Sequence, residues 1–119
     1  AIRDFVTALS EGGIRVSLFV EPDLAVIDTA KDIGAPVVEL HTGTYCNAAV
    51  GPARDAERTR IAKAAAHADN IDIECHAGHG LGFATVAAIA EIDAIVELNI
   101  GHFLIGESIG TSIANPVVT

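Results

Sequence analysis

The chain has 119 residues, half of them hydrophobic and 19% charged, with a formal net charge of -9. That length allows one domain, and the balance supports a buried core over a disordered segment. Seven dispersed Lys and Arg residues against sixteen Asp and Glu exclude the basic patch of a nucleic-acid binder, so an anionic ligand would have to be held by local backbone dipoles.

Ile2, Phe5, Val6 and Leu9 recur at helical spacing, and Gly12-Gly13 ends that helix. Ile14 to Val20 is a β-branched and aromatic run that predicts a strand. Pro22 suits the first turn of a second helix that runs to about Ile33 and stops at Gly34. Pro36 to Leu40 is a second apolar strand, and His41 to Pro52 reads as a loop rich in Gly, Thr and Asn. Ala53 to about Asp69 is a long helix with charges on one face, and its His67 is expected to meet solvent. Ile71 to His76 predicts a third strand, Ala77 to Gly82 a glycine-rich loop, and Phe83 to Glu91 a helix. Ala94 to Asn99 is a fourth strand, followed by Gly101-His102 and a further helical stretch.

Strict alternation of helix and strand calls for a parallel α/β sheet with right-handed crossovers. A doubly wound sheet and half of a (β/α)8 barrel both produce this string, and a whole barrel needs about 250 residues. No apolar run reaches the roughly 18 residues of a membrane span. Cys46 and Cys75 read as two reduced thiols, which together with the lack of a signal peptide predicts a cytoplasmic protein. The first residue is Ala1, not Met, and the chain is expected to begin partway through a longer sequence.

Sites in parallel α/β folds collect at the C-terminal ends of strands. Glu39 and His41 share one strand face, and an inward carboxylate needs a partner or a function. His79 lies in Ala77-Gly78-His79-Gly80-Leu81-Gly82, where three glycines allow close backbone approach and an imidazole can act as general acid or base. Asn99-Ile100-Gly101-His102 precedes a helix whose free N–H groups would suit an anion. Ser17 and Asp23 close the first strand, where Asp23 serves equally as a helix-start charge. Cys75, His76 and His79 are soft ligands, but Cys75 and His76 face opposite ways on a strand, and no metal site is expected. Cys46 has no base at a useful spacing and is read as incidental. The triplets Glu39-Leu40-His41, Glu74-Cys75-His76 and Glu97-Leu98-Asn99 echo one another and suggest polar residues gathered at strand ends.

Four segments together resemble the pyridoxine 5′-phosphate synthase family. They are Gly13 to Phe19, Gly34 to Tyr45, Ala77 to Leu81 and Glu97 to Gly106, in the family's order and with compatible spacing up to about Ile109. The resemblance implies a TIM (β/α)8 barrel of which this chain, residues 1–119 as one domain, supplies the C-terminal half. It implies condensation of 1-deoxy-D-xylulose 5-phosphate with 3-amino-2-oxopropyl phosphate, releasing phosphate and water, without metal or cofactor. It assigns His79 as the general acid, Glu39 as the carboxylate stabilising charged intermediates, and Gly80, Gly101 and His102 as substrate-phosphate contacts. The parent is expected to be a cytoplasmic homo-oligomer of the octameric type, with no nucleic-acid or membrane partner. The family's first four strands, with their own catalytic His and Glu, have no counterpart here, so the chain alone is expected to be inactive. After Ile109, Gly110 and Pro116 weaken the usual closing helix. Another phosphate-binding barrel, an isomerase or aldolase, and a non-enzymatic flavodoxin-like domain are the alternatives. A half barrel is further expected to expose two sheet edges and an apolar inner face, and so to pair or aggregate.

Overall fold

A computed structural model describes residues 2–100. The order is α1 (Ile2–Glu11), β1 (Ser17–Val20), α2 (Leu24–Asp32), β2 (Val37–His41), α3 (Gly43–Asn47), α4 (Pro52–Asn70), β3 (Glu74–Gly78), α5 (Phe83–Ala90) and β4 (Ile95–Asn99). The four strands pair in parallel in the sequential order β1-β2-β3-β4. A doubly wound sheet reverses direction at a switch point; this order has none. Every crossover therefore steps the same way, and right-handed crossovers then put the intervening helices on one face. That is the arrangement of a segment of a (β/α)8 barrel.

The covered face is the core. Val38 and Leu40 of β2 and Cys75 and Ala77 of β3 pack under Ile27 and Ala30 of α2, Ile61, Ala64, Ala65 and Ala68 of α4, and Ile89 of α5. Alanines along α4 let a helix lie close on the sheet without large side chains. The stripe expected on α1 behaves differently: only Val6 is buried, while Ile2 and Phe5 are 57% and 63% exposed.

Several boundaries move for identifiable reasons. Asp23 caps α2, accepting from the Ala25 and Val26 amides at 2.8 and 3.4 Å, so the helix begins after Pro22 instead of on it. The segment 71–73 belongs to the exit from α4, where Asp72 takes a left-handed φ of 61° and the Ile73 amide closes on the Ala68 carbonyl at 2.9 Å. β3 consequently starts at Glu74 and runs to Gly78, inside the expected loop. The other expected loop, from His41 to Pro52, contains the short helix α3.

Candidate functional site

The uncovered face of the sheet is polar, not apolar as half a barrel would suggest. Strand register arranges its side chains in rows. Ser17, Val37 and Glu74 form the lowest; Phe19, Glu39, His76 and Glu97 the middle; His41, Gly78 and Asn99 the uppermost. The echoed triplets are thus offset, since Glu74 sits a row below Glu39 and Glu97. β4 reaches this arrangement through an irregularity opposite Cys75 and His76: Cys75 pairs with Ile95, but His76 pairs with Glu97. Val96 is the extra residue and is exposed, and it returns Glu97 and Asn99 to the polar face.

A cavity of about 300 Å³ on this face is lined by residues including Arg15, Glu39, Glu74, His76, Glu97 and Asn99. The Arg15 guanidinium donates to both carboxylate oxygens of Glu74, at 2.7 and 3.3 Å. His76 Nε2 lies 2.5 Å from Glu74 Oε2, and its Nδ1 faces Glu97 Oε2 at 3.9 Å. The hydrogen bonds from Arg15 and then from His76 hold the Glu74 carboxyl down at about 2. His76 is thereby flanked by two carboxylates, and Cys75 turns away into the core, where burial pushes its thiol up to about 12. Among the described residues no group of three His, Cys, Asp or Glu side chains is placed to hold a metal ion.

The upper rim carries the sequence-selected residues. Gly78 is the last residue of β3, and a Cβ there would collide with the Glu39 carboxylate and come within 2.8 Å of the Asn99 side chain. This places the Glu39 carboxylate against the residue immediately before His79. His79 is exposed and holds a left-handed φ of 87°, followed by Gly80 at 83°. Left-handed backbone is routine for Gly but costs free energy for His, so the surroundings must enforce it. Its ring lies 4.5 Å from the His41 ring, centroid to centroid, and Phe19 abuts both at 4.9 and 6.3 Å. The Gly43 amide, which can only donate, lies 3.0 Å from His41 Nδ1. His41 Nδ1 is therefore an acceptor, even though Glu21 Oε2 faces it from 4.0 Å.

The structure thus brings Glu39, His79 and Gly80 to one end of the sheet, while Gly101 and His102 lie outside the described residues. Asn99 Oδ1 is buried there without a hydrogen-bond partner among the described residues. Three residues carry more structure than their sequence suggested. Thr42, read as a loop residue, is fully buried and bonded to the His79 loop. Cys46, read as incidental, packs its Sγ 3.8 Å from the His79 carbonyl oxygen. His67, expected in solvent, bridges α4 to α2 through Asp28 at 2.6 Å. Position in a β-strand's shadow, the only available signal for the first two, cannot be read from local composition.

A family model described as pyridoxal phosphate biosynthesis protein PdxJ matches residues 1–119. The chain belongs to the PdxJ family. It is 64% identical over 108 residues to the pyridoxine 5′-phosphate synthase of Rhodospirillum rubrum, covering 91% of this chain and 43% of that protein. The corresponding values are 50% over 116 residues for the Thioalkalivibrio sulfidiphilus synthase, covering 98% and 47%, and 52% over 109 residues for the Zymomonas mobilis synthase, covering 92% and 42%. This PdxJ-family chain therefore spans less than half the length of these curated relatives. No helix among its described residues is long and apolar enough to cross a membrane.

Proposed function

We propose that this chain supplies the C-terminal half, as one domain, of a pyridoxine 5′-phosphate synthase of the (β/α)8 type. The whole enzyme joins 1-deoxy-D-xylulose 5-phosphate to 3-amino-2-oxopropyl phosphate and releases phosphate and water. The observation that carries the reading is the step at Gly78, which lets the Glu39 carboxylate sit beside the His79 loop at the C-terminal end of the sheet.

In this reading the His79 imidazolium donates a proton to an oxygen that leaves during ring formation, as a general acid held at the rim of the barrel. The Glu39 carboxylate, in the middle row behind it, stabilises positive charge that develops on nitrogen during condensation. Gly80 gives a phosphate close access to the backbone, and Gly101 with His102 is proposed as a second phosphate contact. No metal or cofactor takes part. The parent works in the cytoplasm as a homo-oligomer on small phosphorylated substrates.

Two observations weigh against the alternatives. A Schiff-base aldolase wants a lysine at a strand end, whereas Lys31 and Lys63 lie in α2 and α4. A flavodoxin-like domain wants a strand-order reversal, and the order here is sequential.

The test is a chimera in which this chain replaces its counterpart in the R. rubrum synthase. His79→Asn and Glu39→Gln in that chimera should each lower kcat by about 10²- to 10⁴-fold, with folding unchanged by circular dichroism. Variants that retain kcat within about twofold would overturn the assignment of that residue, on the scale of such effects.

A further inference from the structure

Thr42 occupies the N-cap position of α3, where a threonine hydroxyl ordinarily accepts from a backbone amide of its own helix. Here it makes no such bond. The hydroxyl instead crosses to the neighbouring strand end and lies 2.7 Å from the carbonyl oxygens of both Gly78 and His79. The Thr42 amide already donates to the Gly78 oxygen at 2.8 Å. A hydroxyl has one proton, so its distinct contribution is to the His79 carbonyl. The other described donor to that oxygen is the Cys46 thiol at 3.8 Å, a weak one. Thr42 is 0% exposed, so the bond to Gly78 is buried, while the bond to the exposed His79 is partly buried.

His79 is where such a clamp matters. Its left-handed backbone is costly for a non-glycine residue and fixes where the imidazole stands relative to the His41 ring. The adjoining Gly43 supports the same geometry, since a Cβ there would collide with the His41 ring and lie 3.2 Å from His79 Cδ2. We infer that Thr42 is the positioning residue of His79: its buried hydroxyl, donated to the His79 carbonyl, locks the loop conformation that presents the imidazole to substrate. The inference rests on the reading of His79 as the acid. It adds a residue that touches neither substrate nor reacting atoms and acts through the backbone.

The test uses the R. rubrum chimera and steady-state kinetics with both substrates. Thr42→Val removes the hydroxyl at nearly constant volume and should lower kcat by about 10- to 100-fold while KM changes by less than about twofold. Thr42→Ser keeps the hydroxyl and should retain kcat within about threefold, on the same scale. In a His79→Asn background, Thr42→Val should cost less than about twofold further, because its route of action is gone. The inference is overturned by full activity in Thr42→Val, or by an equal factor lost with and without His79. It is overturned too by a loss greater than about tenfold in Thr42→Ser, a result that decides the matter even where the valine variant does not fold. Should His79→Asn itself retain full kcat, the reading of His79 fails, and that outcome is separate from any behaviour of Thr42.

Discussion

Gly78 shows how a single side chain's absence shapes the site. Glycine here is required by space and not by backbone conformation, because the Glu39 carboxylate and Asn99 occupy the volume a Cβ would fill. Gly78→Ala should therefore move Glu39, lower activity of the chimera, and destabilise the fold by about 1–3 kcal/mol through overpacking. Thermal melts and kcat measured together check this, and an alanine variant with unchanged melting and kcat would show that the Glu39 position is wrong. The sequence exposed the glycine cluster and singled out His79 within it. It could not distinguish the three glycines, since close packing against Glu39 depends on a strand register fixed by residues more than thirty positions apart. Thr42 and Cys46 escaped for the same reason: their partner is the His79 carbonyl, in another βα unit.

At the scale of elements, the row logic of parallel strands assembles Arg15, Glu74, His76 and Glu97 into one charged cluster across the polar face. The alternation of helices and strands was legible from periodicity and glycine stops. Strand ends were less so, because helix exits such as 71–73 borrow apolar residues that look like strand. The irregularity at Val96 was illegible: Ala94 to Asn99 alternates acceptably without it, and only pairing with β3 reveals that one residue is extra. The cluster has a consequence for acid stability. Glu74 titrates at about 2 in the folded chain against an ordinary 4.5, so the unfolded chain binds its proton first on acidification. The stabilisation it brings is full above about pH 4.5 and disappears as pH falls towards 2. Arg15 and part of Glu74 are solvent-exposed, so the effect is modest and weakens with salt. Denaturant titrations of the wild-type chain and Glu74→Gln should differ at pH 6 and converge near pH 2. A difference that persists at pH 2 would mean that packing, not charge, is responsible.

For the whole molecule, strand order decides what sequence alone left open. Four parallel strands in sequential order, helices on one face and a polar opposite face describe part of a closed barrel, whose inner surface this polar face would become. The expectation of an apolar inner face fails because these strands alternate. Val38, Leu40, Cys75 and Ala77 point at the helices, leaving Glu39, Glu74, His76 and Glu97 on the other side with the buried Val37. The resemblance to one synthase family was readable from four short segments in register, and the family match over residues 1–119 bears it out. On the proposed function, this segment is a working half of a synthase and needs the remainder to turn over. The most direct measurement is the rate of pyridoxine 5′-phosphate formation by the R. rubrum chimera, beside the parent enzyme and the isolated chain. The chimera is expected within about tenfold of the parent in kcat/KM, and the isolated chain is expected not to turn over. A folded but inactive chimera, or an isolated chain that turns over at the parental rate, would contradict it.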